Sequence, residues 1–156
     1  MRFLSLIFLF VCLAGFAQDI KGTWKGKCLQ DPNREYYFEI RVENIDKEGK
    51  VVGTTFVKEE SSGNYGTISF KGTYSKPVFT FNEIEIVKQD KQNTGGYYES
   101  NYWYWCIKKG KLNLTQENGK MWLKGPWSAG GGCDGGTIVV SKKKGKREQC
   151  LHGRLW

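Results

Sequence analysis

From Tyr36 to Ile45 the chain alternates without interruption. Tyr36, Phe38, Ile40 and Val42 share one parity; Glu39, Arg41 and Glu43 share the other. A period of two is the pleat of a β-strand with one face in a core and one in water. Comparable segments follow one another along the chain: 22–29, 51–57, 65–74, 78–88, 98–107, 111–115, 120–127 and 137–141. Gly, Asn, Asp and Lys turns separate them. No apolar stripe at helical spacing follows residue 18. Within 78–88 the phase changes: Phe79 and Phe81 lie on one parity, Ile84 and Ile86 on the other. That predicts a bulge near Asn82 or Glu83. Lys109-Gly110 and Asn118-Gly119 fit tight hairpin turns. Eight or nine antiparallel strands joined by sequential hairpins predict an all-β, up-and-down β-barrel. The alternative is a β-sandwich.

The N-terminus has its own logic. Arg2 precedes an apolar run over 3–14, and Gly15-Phe16-Ala17 places small residues at a cleavage site. This is the pattern of a signal peptide over 1–17, leaving a single barrel domain over 18–156. The protein is then exported: periplasmic, on the cell surface or secreted. No later stretch approaches the roughly 20 apolar residues of a membrane helix.

Five cysteines occur in the chain, and Cys12 leaves with the signal. Cys28, Cys106, Cys133 and Cys150 are an even set in an exported chain, which reads as two disulfides. Cys106–Cys133 would staple neighbouring late strands and Cys28–Cys150 would tie the ends together. No Cys-x2-Cys spacing exists, so zinc is not expected. No metal and no cofactor are expected at all.

Charge is uneven. Residues 18–107 hold 12 basic and 13 acidic side chains, whereas 108–156 hold 11 basic and 3 acidic ones. The excess ends in Lys142-Lys143-Lys144-Gly145-Lys146-Arg147. It is either a solvated surface or a contact for an anionic glycan, a lipid headgroup or another anionic partner. In an exported protein, nucleic acid is not the expected partner.

Gly22-Thr23-Trp24 opens the first strand, directly after the leader. This opening, followed by hairpin-linked strands, resembles the Gly-x-Trp start of lipocalin-like (calycin) barrels, in which the Trp closes one end. Gly72-Thr73-Tyr74 is similar to a segment of avidin-type barrels. The late Thr-Asp-Tyr type turn of lipocalins and the helix before their last strand are missing here. The resemblance implies a carrier of small, mostly apolar ligands.

Catalytic groups are sparse. His152 is the only imidazole, in a tail without a Ser or Asp setting. Glu83 and Glu85 stand two apart, a pattern that serves glycoside hydrolysis in some enzymes but more commonly marks a solvated strand face. No enzyme is expected. Two binding readings remain. In the first, an interior lined by Trp24, Phe38, Ile40 and Phe70 holds a small apolar or aromatic ligand. In the second, a surface-binding module or inhibitor, the aromatic run Tyr102, Trp103, Tyr104 and Trp105 offers one face to the core and one to a glycan or protein partner. Trp122 opposes Met121 and Leu123 in parity and shares it with Lys120 and Lys124, so it would extend such a surface with a cationic rim.

Overall fold

The computed structural model describes residues 20–30, 33–90 and 105–143. Eight strands succeed one another: β1 Gly22–Gln30, β2 Arg34–Ile45, β3 Lys50–Lys58, β4 Tyr65–Ser75, β5 Val78–Gln89, β6 Lys108–Glu117, β7 Lys120–Ala129 and β8 Gly136–Lys143. Each pairs antiparallel with the next. β8 returns to β1, from Lys25 opposite Ser141 to Gln30 opposite Gly136. That last pairing decides for a closed barrel over a sandwich. No helix among the described residues is long and apolar enough to cross a membrane.

Alternation places the core where the sequence predicts it. Tyr36, Phe38, Ile40 and Val42 of β2 are buried, as are Ile68, Phe70 and Tyr74 of β4. Phe70, Phe79 and Phe81 pack ring to ring at centroid distances of 5.9–6.0 Å. Such pairs are worth about 0.5–1.5 kcal/mol each beyond their buried area. At one end of the barrel, Trp24 donates from Nε1 to the Ile20 carbonyl at 2.8 Å. Lys142 Nζ stands 4.5 Å from the Trp24 ring centroid. Trp24, Ile20 and Lys142 together close that end.

Asn118 and Gly119 both take positive φ, 50° and 73°, between paired Glu117 and Lys120. Both central residues at φ > 0 is the requirement of the type I′ hairpin. The second expected turn does not form. Lys109 and Gly110 lie inside β6, and residues 105–107 are not strand. The reason is packing. Gly110 stands opposite Phe81, and a Cβ there would lie 2.2 Å from the Phe81 ring. The glycine admits that ring and turns nothing. The rest of the expected strand over 98–107 lies outside the described residues, as does the expected leader over 1–17.

The phase change in β5 is real but displaced. Register shifts between Ser69 and Phe70, and between Thr67 and Ile68, leave Ile84 and Val87 unpaired on β5. Both point outward, exposed at 48% and 62%. Because the first bulge falls at Ile84, Glu83 keeps the parity of Phe79 and Phe81 and enters the barrel. It is 2% exposed, while Glu85 beyond the bulge is exposed. The two carboxylates therefore do not share a face.

Candidate ligand site at the barrel mouth

The open end gathers the last residues of β1, β3, β5 and β7 and the first of β2, β4, β6 and β8. Trp105, just before β6, lies across it, buried, edge-on to Tyr36 at 6.2 Å between centroids. Gly66 makes room for it, since a Cβ there would lie 2.7 Å from the indole. The Cys106–Cys133 disulfide fastens this segment to the β7–β8 loop. Trp127 donates from Nε1 to the Leu29 carbonyl at 3.0 Å, fixing its ring on the opposite wall.

Below them the β5–β6 ladder stops at Asn82 opposite Lys109. One step further, the Glu83 side chain takes over the role of the missing strand carbonyl. The Lys108 amide donates to Glu83 Oε2 at 2.7 Å, and Thr55 Oγ1 donates to Oε1 at 2.5 Å. Lys108 Nζ stands 3.7 Å from Oε2 and donates to the Cys106 carbonyl at 3.0 Å. The same ammonium lies 5.8 Å from the Phe38 centroid and 5.6 Å from that of Trp127, within range of a cation–π attraction. Burial pushes the Glu83 carboxyl above the ordinary carboxylate range, against the opposing pull of Lys108, Thr55 and the Lys108 amide. Burial likewise drives the Cys28 thiol up to about 12, with the Lys108 charge opposing.

A cavity of about 190 Å3 opens at this mouth. Tyr36, Val57, Trp105 and Trp127 form its walls, and Gln30, Arg34 and Lys108 bring polar atoms to it. Arg34 and Tyr36 also border a recess of about 360 Å3 under Glu59 and Glu60, so the two spaces adjoin. The walls are aromatic, and the polar groups of Arg34 and Lys108 are donors without acceptor capacity.

Of the residues expected to line an interior site, Trp24, Phe38, Ile40 and Phe70 are 0–2% exposed and border neither the mouth cavity nor the adjoining recess. They fill the core. Trp105 does border the mouth cavity. Tyr102, Trp103 and Tyr104 lie outside the described residues. Trp122 faces outward as its parity predicts, with Lys124 Nζ at 4.8 Å and Lys120 Nζ at 5.9 Å from its centroid. Of the two expected disulfides, Cys106–Cys133 forms. For the second, Cys28 is a free thiol, fully buried on the inner face of β1 among core side chains. Cys150 lies outside the described residues. Glu83, Lys108 and Thr55 were not legible as a group, because only the position of the bulge sends Glu83 inward.

In comparisons with known proteins, no family model, no curated protein and no solved structure matches the chain.

Proposed function

We propose that this barrel is an exported, non-catalytic carrier of lipocalin-like type. It binds a small aromatic or apolar molecule bearing a hydrogen-bond acceptor, at the mouth and not deep in the interior. The carrying observation is the 190 Å3 cavity walled by Tyr36, Trp105 and Trp127, with Arg34 and Lys108 at its polar side. A cavity of roughly 150 Å3 is enough for benzene. Aromatic walls with a few placed donors suit a ring carrying a carboxylate, carbonyl or phenolate group. Glu83 supports this reading as a structural group: it is buried, hydrogen-bonded to Thr55 and the Lys108 amide, and its charge is met by Lys108.

The test uses 4-nitrobenzoate as a probe and the fluorescence of the mouth tryptophans as the signal. Saturable quenching is expected for the natural sequence. Val57→Phe fills the cavity from its wall and is expected to weaken the probe at least ten-fold. Trp122→Ala, on the outer face, is expected to leave it within two-fold. Equal weakening by both variants, or no saturable quenching, would refute the assignment.

A further inference from the structure

A second concavity lies on the outside of the barrel, over β4, β5, β6 and β7, with a volume of about 500 Å3. The strand registers set Lys71, Asn82, Lys109 and Ser128 in one row across these strands. Thr73, Thr80 and Lys111 form the next outward row. Lys71, Asn82, Lys109, Lys111 and Ser128 are all exposed. Strand spacing and rise put Lys71 roughly 10 Å from Lys109, and Lys109 about 7 Å from Lys111.

The charges in this groove differ from the others on the barrel. Lys25, Lys27, Lys50, Lys108 and Lys124 each have a carboxylate within 4 Å. Among the described residues, Lys71, Lys109 and Lys111 form no ion pair. Glu85, a register step away opposite Ser69, does not reach them. Three ammonium groups of one sign at this spacing repel one another, and a bound anion removes that repulsion.

The outer face continues. Lys124 stands opposite Asn113, two residues along β6 from Lys111, with its charge partly met by Glu117 at 3.4 Å. Beside it sits Trp122, flanked by the ammonium groups of Lys120 and Lys124. From Lys109 to Thr115, which faces Trp122, β6 advances about 20 Å. The face is therefore long as well as charged.

We propose that this outer face of β4–β7 binds an acidic polysaccharide. Its carboxylate or sulfate groups meet Lys71, Lys109 and Lys111. Its hydroxyls hydrogen-bond with Thr80, Asn82 and Ser128, and one sugar ring stacks on Trp122. A single-stranded nucleic acid fits less well. Sequence-tolerant binding of that kind depends on successive bases stacking on aromatic rings, and the aromatics at the groove, Phe81 and Trp127, are buried with their side chains inward. This site opens on the outer face, touches the mouth only through the shared Trp127, and stands whether or not the mouth binds a ligand.

Calorimetric titration of the full chain with a heparin hexasaccharide and with an oligogalacturonide at low salt tests the proposal. At least one is expected to bind, with an affinity that falls as salt rises. The triple variant Lys71→Gln/Lys109→Gln/Lys111→Gln is expected to lose ten-fold or more. Its slope of log K against log salt should fall by about two to three, the number of charge contacts removed. Trp122→Ala should lose several-fold with the slope kept. Lys21→Gln/Lys47→Gln/Lys58→Gln, exposed positions elsewhere, removes equal charge and should stay within two-fold. The proposal is overturned if neither saccharide binds, if the two triple variants weaken binding equally, or if a single-stranded 12-mer DNA binds more tightly than either saccharide.

Discussion

Replacing Lys108 by Met removes the ammonium that faces Glu83 inside the barrel. The Glu83 side chain is 0% exposed and that of Lys108 5%, so no solvent takes over the lost partner. Breaking a buried pair from one side costs about 3–5 kcal/mol. Glu83 keeps its bonds to Thr55 and the Lys108 amide, which places the expectation near the lower end, about 3 kcal/mol. Glu83→Gln leaves Lys108 without its carboxylate but still bonded to the Cys106 carbonyl and beside two rings. About 2 kcal/mol is expected there, the cost of disturbing hydrogen bonds to a charged group. The double variant should cost about as much as either single one, a coupling of roughly 2–3 kcal/mol. Urea unfolding reads all four proteins, and 3 kcal/mol shifts a midpoint by about 1.5 M at a slope near 2 kcal/mol/M.

The pH dependence has a definite sign. Glu83 titrates above its ordinary value in the folded barrel because it is buried. Its protonated form is thus favoured by folding. This contribution is fully present below the ordinary carboxylate value and is lost as pH rises through the raised one. Without Lys108 that value rises further, so the cost of Lys108→Met should be largest at neutral pH and shrink as pH falls toward 4.5. Additive single-variant costs, or a Lys108→Met cost below about 1 kcal/mol, would refute the account of this pair.

The remaining predictions concern the scaffold. Cys106→Ser/Cys133→Ser opens a bond that spans 27 residues and should cost about 3.5 kcal/mol by the chain-entropy estimate, read as a fall in unfolding midpoint. The Cys28 thiol, buried and pushed up to about 12, should resist dithionitrobenzoate in the native protein and react at once in denaturant; reaction at equal rates in both would place it at the surface. Gly119→Ala puts a side chain at φ 73° and should cost about 1–2 kcal/mol in thermal unfolding.

What the sequence makes legible is whatever depends on period two. Tyr36–Val42 and Ile68–Tyr74 predict their own burial, and with the Asn118-Gly119 turn they predict the barrel. What it hides depends on long-range fit. Gly110 has the composition of a turn, yet Phe81 arrives from another strand to fill its missing side chain. Glu83 and Glu85 look like a solvated pair until the bulge at Ile84 separates them. Trp24, Phe38, Ile40 and Phe70 alternate as a cavity lining would, but the phenylalanines of β4 and β5 fill that half of the barrel. The surviving space lies at the mouth, where Gly66 admits Trp105 and the disulfide holds it. Of the described residues predicted to bind a ligand, Trp105 borders it. Trp122 keeps its predicted outward place between two lysines, on a separate surface.

The most direct test of a carrier is native mass spectrometry of the protein purified from its producing cells, before and after denaturation. The account predicts a mass excess of one small molecule that disappears on unfolding and is absent from Val57→Phe. A bare protein mass under both conditions, with no uptake of added 4-nitrobenzoate, would contradict it.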